Sequence, residues 1–441
     1  MFACSFCEAQ YTKWVGRCPE CGKWGTIDES KVQSPKSKVI SSSQKPTETK
    51  RLGEIPQLTT NRFTINNPEI DRVLGGGIVP GSLILLGGEP GIGKSTLALQ
   101  IAGTVPNTLY LSGEESLQQI GMRAARLTSP LQQVRFAPAT TLESILATLA
   151  AEKPTLAIID SIQTVHAEDA AGEAGSVSQI RGSAGRFLEY AKNNTVAILL
   201  IGHVTKDGSV AGPKTLEHLV DTVLSFEGDR YRELRILRAN KNRFGSTDEV
   251  GIFEMTGIGL TAVENPSAML LAERGENMPG SIITCLMEGT RPLLVEIQAL
   301  VCKTVFGYPV RKTNGFDINR LHMLVAVLGR RAGLNLSQYD IHVNVVGGLE
   351  AAEPAADLAV ALAIAAAYKD KSLGRDLVVF GEVGLLGEIR PVRQTDRRVK
   401  ECEQLGMKRV ILSASAKPAA KRPSGITYIQ VKNIQELIAQ A

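Results

Sequence analysis

The 441-residue chain contains no long hydrophobic run. Its longest uninterrupted apolar stretch, Leu358 to Tyr368, has eleven residues, whereas a membrane-spanning helix needs about 20. Four cysteines and several polar or charged residues follow Met1 within twenty positions, so the basic and apolar regions of a secretory signal are both missing. We therefore expect no membrane span and a cytoplasmic location.

The chain also lacks a strong charge of either sign. Lysine and arginine number 49 and aspartate and glutamate 45, which gives a net charge of +4. An excess this small neither requires nor excludes a nucleic-acid partner. With 43% apolar and 21% charged residues, the chain is too apolar to be mainly disordered and long enough for about three domains.

Cysteines are few, and they cluster at one end of the chain. Four of the seven, Cys4, Cys7, Cys18 and Cys21, have the spacing C-x2-C-x10-C-x2-C. Because cytosolic thiols stay reduced, paired cysteines favour a metal site over disulfides. Four thiolates satisfy tetrahedral Zn²⁺ without an open position, which predicts a structural zinc site. Two redox pairs are the alternative.

Composition changes along the chain predict four segments. Residues 1–30 form the zinc module, and the serine-rich residues 31–51, with six Lys or Arg against one Glu, form a basic flexible linker. Residues 52–264 alternate short apolar runs with amphipathic stretches, and residues 265–441 repeat that alternation with a long Ala/Leu helix from about Pro354 to Tyr368. Such alternation predicts an α/β fold with mostly parallel sheets.

A phosphate-binding motif follows the predicted strand Leu83–Leu86. It matches G-x4-G-K-[ST] and consists of Gly88, Glu89, Pro90, Gly91, Ile92, Gly93, Lys94, Ser95 and Thr96. Glycines let backbone amides surround phosphates at a helix N-terminus. We expect ATP here, with a solvated Lys94 neutralising the β and γ phosphates and Ser95 binding Mg²⁺. A simple glycine turn is the alternative.

Acidic residues follow two further predicted strands. Asp160 ends the apolar run Leu156–Ile159 and is the Walker B candidate for Mg²⁺, although it could merely cap the next turn. Glu114 and Glu115 follow Leu109–Leu111, and one of them is the candidate base that orients the attacking water.

Two alternatives remain open around those glutamates. Ser112 and Glu115 are spaced as a capping box for the following helix. His203 ends the apolar run from Val196 and could sense the γ phosphate or be a solvated histidine.

Several motifs together resemble the RadA (Sms) family of bacterial DNA-repair and recombination proteins. They are the four-cysteine head, GEPGIGKST, LYLSGEES, IIDS and the KNRFG motif at residues 241–245. The resemblance implies a RecA-like ATPase core and a homo-hexameric ring that binds single-stranded and branched DNA. It further implies branch migration or heteroduplex extension driven by ATP, with the RecA strand-exchange protein as partner.

The KNRFG motif contains two cations with candidate catalytic roles. Lys241 and Arg243 follow the strand-like run Leu234–Leu237. They could reach a neighbouring subunit's γ phosphate as an arginine finger does, or contact DNA phosphates. A solvated basic turn is the alternative.

The C-terminal segment resembles the proteolytic domain of Lon, a Ser-Lys peptidase. Residues 354–357, Pro-Ala-Ala-Asp, stand where the peptidase has P-S-A-G, and Arg398 stands at the lysine position. Arginine cannot act as the base because its pKa stays above 12, so we expect an inactive peptidase. Arg393, Arg397 and Lys400 would share one helix face, as a DNA-backbone contact or a solvated surface.

The combined prediction is a DNA-dependent ATPase with ATP, Mg²⁺ and Zn²⁺ as cofactors. Two rival functions remain. A DNA-independent regulatory ATPase or kinase of the circadian-clock type would share the P-loop and paired glutamates, and an active ATP-dependent protease would need the missing serine and lysine.

Overall fold

The computed structural model divides the chain into two compact units, Met1–Thr59 and Thr60–Ala441. It describes residues 2–5, 10–11, 13–29, 51, 62–139, 141–170, 172–203, 216–228, 234–272, 274–275, 278–305, 307–416 and 425–441. The predicted linker therefore lies outside the described residues except for Arg51.

The first unit contains a small antiparallel sheet with strand order β2-β1-β3. The strands are β1 (Phe2–Cys4), β2 (Gln10–Tyr11) and β3 (Ile27–Glu29). Cys4, Cys18 and Ile27 form its buried cluster. So little apolar surface cannot offset chain entropy alone, which is consistent with a metal-supported module.

The second unit begins with a nine-stranded sheet of order β12-β11-β10-β9-β4-β8-β7-β5-β6. Its strands are β4 (Leu83–Gly88), β5 (Thr108–Ser112), β6 (Arg135–Pro138), β7 (Leu156–Asp160), β8 (Ala197–His203), β9 (Thr222–Glu227), β10 (Leu234–Asn242), β11 (Val250–Thr256) and β12 (Gly259–Ala262). Neighbouring strands in the series β6, β5, β7, β8, β4 and β9 pair in parallel. Neighbouring strands in the series β9, β10, β11 and β12 pair antiparallel. The predicted mostly parallel sheet is confirmed.

Helices cover both faces of this sheet. They are α1 (Pro68–Leu74), α2 (Lys94–Thr104), α3 (Leu117–Ala124), α4 (Leu142–Glu152) and α5 (Val177–Asn194). Strand β4 is buried along its whole length, and its residues alternate between two separate apolar clusters, with Ile84 in one and Leu85 in the other. Burial on both faces explains why β4 is a continuous apolar run.

A seven-stranded sheet of order β15-β16-β14-β13-β17-β20-β21 organises the C-terminal part, beside a two-stranded hairpin, β18-β19. The strands are β13 (Ser281–Glu288), β14 (Arg291–Lys303), β15 (Arg311–Asn314), β16 (Tyr339–Val345), β17 (Leu377–Val379), β18 (Glu382–Val383), β19 (Ile389–Arg390), β20 (Arg409–Ser413) and β21 (Thr427–Val431). The helices are α6 (Pro266–Ala272), α7 (Ile318–Ala332), α8 (Asp357–Tyr368), α9 (Thr395–Gln404) and α10 (Ile434–Ile438).

The predicted Ala/Leu helix is present, with a 3-10 turn at Pro354–Ala356 leading into α8. Residues Asp357 to Ala366 of α8 are all buried, which is why its sequence is apolar all round. Among the described residues, no helix combines the length and apolarity needed to cross a membrane.

The turn between β13 and β14 joins the two sheets within the second unit. Arg238 of β10 donates to Glu288 at 2.5 Å, and the backbone N–H of Thr290 donates to the Asp248 carbonyl at 2.7 Å. Arg291 pairs with the buried Glu69. The predicted boundary between residues 264 and 265 falls just before α6 and stays a prediction.

Candidate functional site

The candidate nucleotide site lies where parallel strands end at one edge of the first sheet. Gly88 of β4 is opposite His203 of β8, and Ser112 of β5 is opposite Asp160 of β7. Ligand sites of open α/β sheets lie at the carboxyl ends of their strands. The loop to α2 needs glycine at Gly93, where φ is 114° and a Cβ would stand 2.5 Å from the Met255 side chain.

Lys94 is buried, with 4% of its surface exposed. Its Nζ donates to the carbonyls of Gly88 and Glu89 at 2.9 Å each, and it lies 3.1 Å from His203 Nδ1. Burial lowers the pKa of Lys94, while the charges of Glu114 and Asp160 oppose that shift. The expectation of a solvated lysine is therefore wrong, because in this arrangement loop carbonyls surround the ammonium.

The structure separates the two adjacent glutamates. Glu114 Oε1 lies 2.8 Å from His203 Nε2 and accepts a hydrogen bond from Ser161. The hydrogen bond with His203 is the main cause that lowers the pKa of Glu114 to about 2, and Ser161 adds to it against the effect of burial. Glu115 instead pairs with Arg123. Only Glu114 lines the pocket that contains Lys94.

The predicted capping box of Ser112 and Glu115 is wrong. Ser116 is the N-cap of α3, and it forms the reciprocal capping box with Gln119. Ser112 Oγ accepts from the backbone N–H of Glu115 at 3.1 Å, which helps to fix the turn. That turn needs glycine at Gly113, since a Cβ there would stand 2.1 Å from the Thr164 hydroxyl oxygen.

Asp160 has one unpaired oxygen. Its Oδ2 accepts from the Tyr110 hydroxyl at 2.5 Å, whereas the buried Oδ1 has no hydrogen-bond partner among the described residues. Burial raises the pKa of Asp160, and the hydroxyls of Tyr110 and Ser95 oppose that shift. A carboxylate with an unpaired oxygen beside a hydroxyl fits the oxygen ligands that Mg²⁺ prefers. The residues present therefore fit the ion.

Some residues of this site were not identified from the sequence. Tyr110 and Ser161 hold Asp160 and Glu114, and Arg123 and Arg126 line the pocket together with residues of the β11–β12 hairpin. Arg123 lies in the last turn of α3, whereas Arg126 follows the end of that helix, so helix periodicity alone does not bring the two together.

The structure does not bring the KNRFG cations to the pocket of the same chain. Lys241 lies within β10, and its Nζ donates to the carbonyls of Glu217 at 2.5 Å and Val220 at 2.9 Å. Arg243 follows the strand with its side chain 56% exposed, 3.6 Å from Asp221 Oδ1. Neither residue lines the pocket around Lys94.

The cysteine cluster brings three predicted ligands together. The sulfur atoms of Cys4, Cys18 and Cys21 lie within 4.8 Å of one another, and those of Cys4 and Cys21 are 3.7 Å apart. A tetrahedral site with Zn–S bonds of about 2.3 Å has sulfur atoms about 3.8 Å apart. The geometry fits Zn²⁺. The fourth predicted ligand, Cys7, lies outside the described residues.

Comparisons with known proteins agree with this geometry. Family models match residues 2–29 as a rubredoxin metal binding domain, residues 48–209 as an AAA domain and residues 320–416 as subunit ChlI of Mg-chelatase. The chain is 44% identical over its whole length to a DNA repair protein RadA of Listeria monocytogenes, covering 97% of that protein. It is 45% identical to the RadA of Pseudomonas aeruginosa, over 99% of the chain and 98% of the relative. The chain belongs to the RadA family.

Membership of the RadA family confirms the resemblance and the predicted fold class. A zinc ribbon, an ATPase core and a Lon-like C-terminal α/β domain follow one another in the predicted order. A further relative, the RadA of Haemophilus influenzae, is 46% identical over 99% of the chain. These relatives do not favour the DNA-independent clock-type alternative.

In the RadA-family C-terminal domain, Arg398 lies in the interior. Its side chain is 1% exposed and makes two hydrogen bonds to Glu353, at 2.6 and 2.8 Å. The predicted face of Arg393, Arg397 and Lys400 on one helix is wrong, because α9 begins only at Thr395. Arg393 therefore precedes the helix.

Proposed function

We propose that this RadA-family protein is a DNA-dependent ATPase of homologous recombination and repair. It binds single-stranded and branched DNA and uses ATP to drive branch migration or heteroduplex extension. The observation that supports this proposal best is the cluster of Lys94, Glu114, Asp160 and His203 beside the P-loop. Full-length relatives named for DNA repair add the biological context.

In this proposal the loop Gly88–Thr96 holds the phosphates of ATP. Its backbone amides and the N-terminus of α2 attract the anion. Lys94 exchanges the carbonyls of Gly88 and Glu89 for phosphate oxygens. Ser95 and Asp160 hold Mg²⁺, which neutralises charge on the phosphates when it is bound.

Glu114 is proposed to orient the attacking water. With a pKa of about 2 it is ionised at neutral pH but weakly basic. When Lys94 turns to the phosphates, Glu114 loses part of the positive field that lowers its pKa, so its basicity rises. His203 contacts both Lys94 and Glu114, and it would transmit nucleotide occupancy from one to the other.

Arg243 is proposed to act outside its own nucleotide pocket. Its exposure suits either a neighbour's γ phosphate in a homo-hexamer or a DNA phosphate, whereas the contacts of Lys241 suit a role in fixing the turn. The RecA strand-exchange protein is the proposed protein partner.

The C-terminal domain is proposed to be a scaffold without peptidase activity. Ala355 is buried and has no hydroxyl. Arg398, at the position of the lysine, is paired with Glu353 and stays charged, so it cannot supply the neutral amine that a Ser-Lys dyad needs.

Migration of a branched DNA substrate by the purified full-length protein tests the proposed function. We expect migration with ATP, and none with a non-hydrolysable analogue or with Lys94→Ala. Equal migration by Lys94→Ala would exclude this site as its energy source.

A further inference from the structure

The zinc ribbon exposes both tryptophans of the protein. Trp14 is 61% exposed and Trp24 75% exposed. Their ring edges converge over Gly16, lying 3.6 and 3.7 Å from the point where a Cβ of that glycine would stand. The two indoles thus form a single exposed aromatic surface.

Backbone contacts fix the Trp14 ring and the main chain around Trp24. Trp14 Nε1 donates to the Ile27 carbonyl at 3.2 Å. Trp24 pairs with Arg17 in an antiparallel bridge, and Gly25 N–H donates to the Gly16 carbonyl at 3.1 Å. A ring held in this way, as that of Trp14 is, loses little conformational entropy when a flat ligand stacks on it.

Among the described residues of the ribbon, the apolar cluster does not include the tryptophans. Its buried cluster is Cys4, Cys18 and Ile27, and the partly buried residues around it do not include Trp14 or Trp24. Exposed apolar side chains that form one contiguous patch, unlike those scattered singly, mark interaction sites.

Three cations flank the two tryptophans, in a segment (positions 1–30) that also contains four acidic residues. The three Lys and Arg residues of positions 1–30 are Lys13, Arg17 and Lys23, and all three are exposed. Lys13 and Lys23 each precede a tryptophan, and Arg17 is opposite Trp24. Residues 31–51 continue with six Lys or Arg against one Glu.

We propose that this tryptophan face, defined as Lys13, Trp14, Gly16, Arg17, Lys23 and Trp24, binds single-stranded DNA. Unpaired bases stack on the indoles, and the cations contact the phosphates. Stacking on aromatic side chains tolerates any base sequence, whereas a duplex keeps its bases stacked internally. The inference rests on the proposed function, since it assumes that the protein acts on DNA.

Intrinsic fluorescence of the full-length protein tests this inference directly, because the only tryptophans are in the tryptophan face. Titration with poly-thymidine should quench the emission. Trp14→Ala and Trp24→Ala should each weaken binding about 5- to 150-fold, with zinc content unchanged. Trp24→Tyr should retain most of the affinity. Tyr308→Ala, which removes an aromatic side chain that is 88% exposed outside the ribbon, is the matched control and should bind normally.

Three results would overturn the inference. If poly-thymidine stimulates ATP hydrolysis without quenching, and both alanine variants bind normally, the face does not bind DNA while the proposed function stands. If only a strand-exchange protein changes the emission, the face is a protein-docking surface. If DNA neither binds nor stimulates hydrolysis in any assay, the proposed function fails as well.

Discussion

At the scale of single residues, the nucleotide site depends on contacts between residues far apart in the sequence, which local sequence motifs do not predict. Glu114 and Glu115 are adjacent and chemically identical, so the sequence predicted a base without separating them. His203, the last residue of β8, and Ser161, which follows β7, are hydrogen-bonded to Glu114, whereas Arg123 pairs with Glu115. The separation is a tertiary effect.

Replacement of each glutamate tests that separation. We expect Glu114→Gln to lower ATP turnover about 10²- to 10⁴-fold, because the amide cannot accept a proton from water. Glu115→Gln, the matched control, should remain near the wild-type rate, and both variants should bind a fluorescent ATP analogue. A loss as large for Glu115→Gln as for Glu114→Gln would contradict the assignment.

Arg398 offers a residue-scale test of the C-terminal interior. Arg398→Ala removes the cation that pairs with Glu353, which keeps the backbone N–H of Met287 as a donor. The free energy of unfolding should fall by about 3 kcal/mol, at the low end for a buried pair because Glu353 is partly exposed. Lys400→Ala, on the same helix but exposed, should change it by less than about 0.5 kcal/mol. Urea unfolding measures both. Equal stability of the two variants would show that the ion pair is not structural.

At the scale of elements, periodicity predicted the buried strands well and the element ends poorly. Strands β4, β5, β7 and β8 were predicted because burial on both faces requires apolar runs. Strand β10 extends through Lys241 and Asn242 only because it pairs with β9 across a register shift after Ala239. Likewise, Ser112 and Ser116 both begin capping-box patterns, and the fold selects the second.

The zinc ribbon is the element whose stability should depend most on one ion. We expect about one Zn²⁺ per chain. Cys18→Ser should remove most of the bound zinc, because a four-thiolate site loses its affinity when one of its ligands is replaced. Cys302→Ser, which changes an exposed cysteine of β14, should retain the metal. Elemental analysis under thiol-protecting conditions measures the zinc content of both variants. Full zinc occupancy in Cys18→Ser would refute the ligand assignment.

At the scale of the whole molecule, the order of the motifs predicted the order of the domains. It could not show which residues of the C-terminal domain contact β10, the strand that leads into the KNRFG motif. Arg238 of that strand pairs with Glu288 of β13, and the neighbouring turn contacts residues 248–249. Contacts between segments so distant in sequence have no local signal. They link the strand that leads to Arg243 directly to the Lon-like domain.

Arg243 and Lys241 should respond differently to alanine substitution. If Arg243 is a finger in trans, Arg243→Ala should lower turnover about 10³-fold or more with ATP binding retained. If it contacts DNA, basal turnover should stay and the salt slope of DNA binding should fall by about one. Lys241→Ala should instead lower thermal stability, since its ammonium holds two carbonyls. Normal turnover, salt slope and branch migration in Arg243→Ala would show that KNRFG is only a surface turn.

DNA is proposed to control the ATPase of this molecule, and steady-state ATP hydrolysis with and without single-stranded DNA tests that proposal most directly. The wild-type full-length protein should hydrolyse ATP several-fold faster with saturating single-stranded DNA, and Lys94→Ala should show no hydrolysis in either condition. Turnover that is the same with and without DNA, in a protein shown to be folded and zinc-loaded, would contradict the account.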